Sequence, residues 1–382
     1  MTPLYLLDNP VRTYAWGSRT VLAKLLGRPV PSAEPEAELW IGAHPTAPSR
    51  IAGGPGSLLD RIEADPAATL GTYDRLPFLL KVLAVDAPLS LQVHPDADQA
   101  REGFAREEAG GRPADDPSRS YHDDQPKPEL ICAITPFEAL CGFREPAESA
   151  DLLQALGIER LRGVVGRLRS GDLRAAVEVL LEWPGDDRQA IIDEIAVACR
   201  VPDAPEYRQA AALAGRYPGD MGVAISLLLN LITLRPGEGL FVPPRMPHAY
   251  LHGTGVEIMA GSDNVLRGGL TPKHVDIPEL LTVTDFTPVR PAPRAPLPSG
   301  EYEAPTDRFT LSRQELRPGQ EIVITEPGPS AVLCLDGEIT VTRDAATEKL
   351  GRGDAVFVPY EGGPVTLRGE GTTFRAAPGR PG

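Results

Sequence analysis

The stretch LRPGEGLFVP, residues 234–243, decides how this 382-residue chain is expected to fold, because a related stretch recurs near the C-terminus. The second copy is LGRGDAVFVP, residues 350–359. In both copies a glycine followed by an acidic residue indicates a turn, and an apolar strand that ends in proline follows it. A pattern repeated in this way predicts two related β domains within one chain.

The repeated hairpin is typical of cupin-type jelly-roll barrels. Beyond the first copy the chain leads to His248, whereas the corresponding residue beyond the second copy is Pro364, which cannot bind a metal. We therefore expect the first barrel to carry the chemistry and the second to be structural. The predicted fold class is mainly β, with two cupin-type jelly-roll β-barrels and an inserted α-helical unit.

Changes in apolar spacing along the chain predict the domain boundaries. The catalytic barrel is assembled from residues 1–145 and 230–287, which show short apolar runs bounded by Pro, Gly or Asp. Residues 146–229 have helical spacing and predict an inserted helical domain. A Pro-rich linker, 288–299, leads to a C-terminal cupin-like barrel, 300–382, without a metal site. Within the first part, residues 96–124 are charged and predict a short helix followed by a long exposed loop.

Composition excludes several classes of partner. The net charge of −15 argues against nucleic acid, whose binding depends on neutralising phosphates. The chain has no apolar run long enough to span a bilayer, and its start lacks the features of a signal peptide. The cysteines show no CxxC spacing and are expected to be reduced. We therefore expect a cytoplasmic protein, a monomer or a small homo-oligomer, with neither nucleic acid nor membrane as partner.

Four scattered residues could together hold one divalent cation: Gln92, His94, Glu129 and His248. Gln92 and His94 stand two apart in an apolar run, and residues i and i+2 of a strand point to the same face. A mixed set of nitrogen and oxygen donors without a thiolate suits zinc or a similar borderline ion.

Seven blocks of the sequence, in this order along the chain, resemble the type I phosphomannose isomerase (mannose-6-phosphate isomerase) family. The blocks are YAWGS (14–18), AELWIGAHP (37–45), LPFLLKVL (76–83), LSLQVHP (89–95), KPEL (127–130), PHAY (247–250) and EIMAGSDNVLRGGLTPK (257–273). Residues beyond 287 carry no such block.

The resemblance implies one zinc ion per chain, with Gln92, His94, Glu129 and His248 as its ligands. It also implies that Arg267 is the active-site arginine. The implied reaction is the reversible interconversion of mannose 6-phosphate and fructose 6-phosphate, which connects to GDP-mannose synthesis.

One position departs from the family pattern. Many members have a histidine immediately before Lys-Pro-Glu, where this chain has Pro126. The departure leaves the implied zinc ligands and Arg267 intact, so it concerns proton transfer.

The implied aldose–ketose isomerisation proceeds through a cis-enediol intermediate and needs both positive charge and a base. A metal ion stabilises the negative charge that develops on oxygen, and Arg267 is expected to add fixed positive charge. A carboxylate must then carry the proton between C1 and C2. Asp263 and Glu257 remain alternatives for this base, and Asp263 is alternatively the salt-bridge partner of Arg267.

Phosphate recognition needs hydroxyl and cationic donors. The candidates are Ser90, Lys127, Lys273 and Lys81, and Lys127 is also a catalytic candidate. Lys81 stands in an apolar run, where a lysine is costly unless it is paired. His44 is expected to order a loop near the site.

Two other functions remain open at this stage, besides an isomerase whose partner is a small-molecule phosphosugar. Another metal-dependent cupin enzyme, such as an oxygenase, would bind redox-active iron through two histidines and one carboxylate. The additional Gln92 and the cluster of basic residues favour a phosphosugar. A non-catalytic sugar-phosphate-binding cupin would need a lost catalytic group, and Pro126 marks the one visible loss.

Overall fold

The computed structural model describes residues 4–326 and 328–380, so the extreme ends of the first and last predicted domains lie outside the described residues. The fold is mainly β, as predicted. The strands in chain order are β1 (Tyr5–Asp8), β2 (Val11–Arg12), β3 (Glu38–Ile41), β4 (Arg50–Ile51), β5 (Phe78–Val85), β6 (Leu91–Val93), β7 (Glu129–Ala133), β8 (Phe137–Phe143), β9 (Leu229–Leu234), β10 (Gly239–Val242), β11 (His248–Ala260), β12 (Leu266–Gly269), β13 (Thr310–Leu316), β14 (Glu321–Ile324), β15 (Ser330–Arg343), β16 (Ala346–Leu350), β17 (Ala355–Val358) and β18 (Val365–Ala377).

Helices fall mainly between β8 and β9, where helical spacing predicted them. They are α1 (Val21–Leu25), α2 (Leu58–Ala64), α3 (Pro66–Leu70), α4 (Ala97–Ala109), α5 (Pro146–Ala155), α6 (Arg162–Arg169), α7 (Leu173–Leu181), α8 (Gly185–Ala198), α9 (Pro205–Arg216), α10 (Gly222–Ser226) and α11 (Ile277–Val283). Helices α5 to α10 bury their apolar stripes in one common core. Among the described helices, none combines the length and apolar character needed to cross a bilayer.

The two copies of the repeat form the same turn. Gly237 and Gly353 have φ of 89° and 88°, a left-handed conformation that favours glycine. The carboxylate of Glu238 accepts a hydrogen bond of 2.7 Å from the N–H of Arg235. Asp354 accepts the equivalent bond, of 2.9 Å, from Gly351. Strands β10 and β17 begin directly after these turns, which explains why a glycine and an acidic residue recur together.

Within residues 4–326 and 328–380 the main strands form two antiparallel sheets. The first sheet is organised by the long strand β11, whose first half pairs with β6 and β8 and whose second half pairs with β5 and β7. Strand β5 is buried along its whole length. Its alternate residues Leu80 and Val82 pack toward the second sheet, so Lys81, between them, points to the opposite face.

The second sheet contains strands from both ends of the chain, which differs from the predicted division. Strand β1 was assigned with the catalytic barrel, but it pairs with β17 through Leu6 and Val356, and β4 pairs with β1. Leu7 enters a core shared by both sheets. A short apolar strand fits either sheet equally well, so its sequence does not reveal its partner. In the predicted linker, Arg294 exchanges two backbone hydrogen bonds with Gly239, at the start of β10.

The charged stretch 96–124 begins with α4, as predicted, but the loop after it is not exposed throughout. Ser120 and Tyr121 are buried, because the carboxylate of Glu107 accepts hydrogen bonds from both of their N–H groups. The ring of Tyr121 packs against Gly103 of α4, where no side chain stands in the way. The helix thus holds the loop that leads to Lys127.

Replacing Gly103 by alanine should destabilise the protein by about 1–3 kcal/mol, because the new Cβ overlaps the ring of Tyr121. Urea denaturation measures this loss. Gly166→Ala in the middle of α6 is the matched control, since its Cβ would meet nothing within 4 Å. The control should be neutral or stabilising by up to about 1 kcal/mol. Equal stability of the two variants would contradict the packing described for Tyr121.

Candidate metal centre

Three neighbouring strands align Arg267, Gln92 and His248 in one row. Gln92 of β6 lies opposite His248 of β11 on one side and opposite Arg267 of β12 on the other. Directly opposite residues of antiparallel strands project to the same face, about 5 Å apart. The register therefore places the amide of Gln92 beside an imidazole and a guanidinium on one face.

A carboxylate joins two imidazoles at the centre of the site. The potential ligand atoms of His94, Glu129 and His248 all lie within 4.8 Å of one another. Glu129 Oε1 is 3.3 Å from His94 Nε2, and its Oε2 is 3.3 Å from His248 Nε2. All three side chains are buried. Glu129 of β7, His248 at the start of β11 and His94, directly after β6, thus converge on one point.

The ring nitrogens of both histidines are arranged to bind a cation. Nδ1 of His94 lies 2.7 Å from the carbonyl oxygen of Asn264, and Nδ1 of His248 lies 3.0 Å from that of Met246. A carbonyl oxygen accepts only, so each Nδ1 carries the proton and each Nε2 keeps a free lone pair. Within the described part of the chain, neither buried Nε2 has a hydrogen-bond partner.

A buried polar atom without a partner is costly, and a cation at this point would satisfy both nitrogens. Burial and the positive charge of Lys127 lower the pKa of His94 to about 4, which keeps the ring neutral. A neutral imidazole is the form that binds a metal. The donor set of two imidazoles, a carboxylate and a neighbouring amide therefore fits zinc.

Glu257 of β11 is a buried carboxylate on the same face as Glu129. It lies opposite Lys81 of β5, with 3.6 Å between the Lys81 Nζ and the Glu257 Oε2. Burial and the negative charge of Glu129 raise the pKa of Glu257 above the usual carboxylate range. A raised pKa suits a group that takes up and returns a proton near neutral pH.

Asp263 has a different environment, and its predicted alternative role as partner of Arg267 is wrong. Its Oδ2 lies 3.2 Å from Nε2 of His44, a pairing that the sequence did not predict. Although partial burial opposes ionisation, the hydrogen bond and charge of His44 lower the pKa of Asp263 to about 2. Asp263 therefore stays ionised and engaged, which makes it a poor proton carrier.

The basic candidates occupy two places. Lys127 Nζ lies 3.2 Å from Glu129 Oε1. Lys81 Nζ is buried between Glu257 and Glu38, 3.6 Å from each carboxylate, and lies 5.1 Å from the centre of the Trp40 ring. The sequence did not identify Glu38 and Trp40 as neighbours of Lys81, because their positions depend on the register between β3 and β5.

The remaining candidates lie around Arg267. Burial and the positive charge of Arg267 lower the pKa of Lys273, so the two cationic groups are close enough to interact. Burial also lowers the pKa of Arg267. Ser90 is half-buried and directly precedes β6, two residues before Gln92. Arg267 thus lies opposite Gln92 in the sheet, Ser90 directly precedes the strand that carries Gln92, and Lys273 follows β12 in the chain.

Two family models match the chain. "Phosphomannose isomerase type I, catalytic domain" matches residues 4–146, and "Mannose-6-phosphate isomerase, cupin domain" matches residues 299–378, where the sequence blocks are absent. Mannose-6-phosphate isomerase of Escherichia coli (strain K12) is 37% identical over 97% of this chain and 98% of its own length.

Solved structures agree with these matches. A variant of phosphomannose isomerase from Salmonella typhimurium superimposes with a TM-score of 0.92, at 36% identity, over 99% of this chain and all of its own. A zinc-bound mannose 6-phosphate isomerase gives the same TM-score at 37% identity and the same coverage.

Proposed function

The chain belongs to the type I phosphomannose isomerase family, and on that premise we propose that it interconverts mannose 6-phosphate and fructose 6-phosphate with one zinc ion per chain. The observation that carries the proposal is the convergence on Glu129 of two buried Nε2 atoms that have no hydrogen-bond partner among residues 4–326 and 328–380. A cation at this point would satisfy both nitrogens and the carboxylate together.

His94, Glu129 and His248 are the proposed ligands, and Gln92 is the proposed fourth. Once bound, zinc would polarise the sugar carbonyl and stabilise negative charge on its oxygen. The register beside Gln92 supports Arg267 as a second source of positive charge at the same place. Gln92 and Arg267 lie opposite each other on neighbouring strands, so one sugar could contact both side chains.

Glu257 is the proposed base. It takes the proton from C2 of the aldose and returns it to C1, while the hydroxyl proton passes from O2 to O1, so that the carbonyl moves from C1 to C2 through the cis-enediol. Its raised pKa and its burial beside Glu129 support this role. Lys81, held between Glu257 and Glu38, is better placed to fix the carboxylate than to bind phosphate.

The phosphate group is proposed to bind near Arg267 and Lys273, with Ser90 as a hydroxyl donor. The interaction between the two cationic groups supports this, because a dianion would relieve their mutual repulsion. Lys127, beside Glu129, remains close enough to the metal centre to contact the sugar. The partner is thus a small phosphosugar, and the net charge of −15 continues to disfavour nucleic acid and anionic membrane.

A coupled assay with mannose 6-phosphate, run before and after dialysis against a chelator, tests the proposal. We expect turnover to fall about 1,000-fold or more on metal removal and to return when zinc is added, because the ion contributes about 4 kcal/mol to the stabilisation of the transition state. Iron in the purified protein together with oxygen uptake would favour another cupin enzyme. Binding of the sugar phosphate without turnover would favour a non-catalytic protein.

A further inference from the structure

Asn264, in the short segment between β11 and β12, is completely buried and uses its whole side-chain amide to hold a neighbouring loop. Its Oδ1 accepts hydrogen bonds from the N–H groups of His122 (2.7 Å) and Asp123 (3.1 Å). Its Nδ2 donates to the carbonyl oxygens of Asp123 (2.8 Å) and Gln125 (2.9 Å). An amide side chain has two donors and one acceptor oxygen, so this group is saturated.

The backbone of the same residue holds a proposed metal ligand. Its carbonyl oxygen accepts the hydrogen bond from Nδ1 of His94, at 2.7 Å. This bond fixes the plane of the imidazole and places the proton on Nδ1, which leaves Nε2 free to face Glu129. The N–H of Asn264 donates to Ser262 Oγ (3.2 Å), and that hydroxyl donates to the carbonyl oxygen of Gln125.

The loop held in this way, residues 122–127, ends at Lys127, whose Nζ lies 3.2 Å from the carboxylate of Glu129. On its other side, Arg308 of the C-terminal part of the chain donates a hydrogen bond of 2.9 Å to Gln125 Oε1. The loop is therefore fixed from two directions. The contact through Asn264 continues to a metal ligand, whereas the contact through Arg308 ends at the loop.

We propose that Asn264 is a positioning residue that couples the orientation of the metal ligand His94 to the placement of the loop 122–127. The proposal rests on the proposed metal centre and adds a dependence between two of its parts. A displaced loop pulls on the amide of Asn264, and its carbonyl then loses alignment with the imidazole of His94. The position of Lys127 and the orientation of the His94 ring consequently both depend on Asn264.

The test compares Asn264→Ala with Arg308→Ala and Asn230→Ala. Asn230 is the matched control, because its Nδ2 also donates to backbone carbonyl oxygens, in this case those of Cys141, Gly142 and Val289, and none of these holds the ring of a ligand. Two quantities are measured: the apparent zinc Kd by competition with a chromophoric chelator, and the rate at which an aspartate-directed protease cuts at Asp123, followed by mass spectrometry.

We expect Asn264→Ala to raise the zinc Kd about 10- to 100-fold, as loss of a contact behind a ligand does, and to accelerate cleavage at Asp123. Arg308→Ala should accelerate cleavage and raise the zinc Kd by a smaller factor, about two- to fivefold, because a loop released at Gln125 acts on His94 only through Asn264. Asn230→Ala should lower the melting temperature and leave the zinc Kd and the cleavage rate unchanged. Wild-type zinc Kd and cleavage rate in Asn264→Ala would overturn the proposal.

If Asn264→Ala does not fold, Asn264→Asp carries the test, because it keeps the acceptor for the two N–H groups and loses both donors. We expect its zinc Kd to rise about fivefold or more, with faster cleavage, and unchanged values would equally overturn the proposal. A wild-type protein that binds no zinc would instead refute the metal centre itself. The two failures are thus distinguishable.

Discussion

Replacing His248 by alanine is expected to reduce turnover of mannose 6-phosphate about 1,000-fold or more, because the loss of about 4 kcal/mol of metal-derived stabilisation corresponds to that factor. The zinc content should fall well below one per chain, since an Nε2 that faces Glu129 at 3.3 Å is removed. Steady-state kinetics and elemental analysis of the purified variant measure the two effects.

The matched control for this variant is His252→Ala, on the same strand. His252 is exposed and stands outside the group formed by His94, Glu129 and His248. It should keep wild-type turnover and zinc content. Full activity in His248→Ala, or an equal loss in both variants, would show that the proposed metal centre does not drive the reaction.

Glu257→Gln should lower kcat by about 10²- to 10⁴-fold while zinc remains bound, because the amide has no basic oxygen to take the proton from C2. Its side chain is nearly the same size and stays beside Lys81, so the structure should be retained. Exchange of the C2 proton with deuterated solvent, followed by NMR, should become undetectable. Zinc content measured in the same sample separates this effect from loss of the metal.

Asp263→Asn serves as the comparison, because the sequence alone offered both carboxylates as the base. Asp263 is 46% exposed and is engaged with His44, so its loss should weaken loop packing and reduce kcat much less. If Asp263→Asn abolished exchange at C2 and Glu257→Gln retained it, the assignment of the base would be reversed.

The sequence predicted the parts of the molecule that depend on local patterns. The turn at Gly237, its recurrence at Gly353 and the helices between β8 and β9 follow from residues a few positions apart. The donor types also suggested Glu129 and His248 as further ligands, and the resemblance to a known family implied the same set, but no local pattern shows that such distant residues come together. The structure explains their convergence through the register of β11 with β6 and β7.

Features set by long-range register were not predictable in this way. The choice between Glu257 and Asp263 depends on which neighbour each acquires, and these neighbours, Lys81 and His44, come from distant strands and loops. Tyr121 can be buried within a charged stretch because Gly103 has no side chain where the ring of Tyr121 packs. In each case the feature depends on a contact between residues of separate segments. The spacing of residues along one segment does not reveal such a contact.

The pairing of β1 with β17 has a consequence for how the chain matures. Strand β1 is synthesised well before its partner β17, because β2 to β16 lie between them in the chain, so β1 cannot dock on β17 until all of these strands have been made. Contacts between residues that are so far apart in the sequence form slowly. Until then both strands present open edges to other chains, and the helical unit and first sheet fold beside an unfinished neighbour.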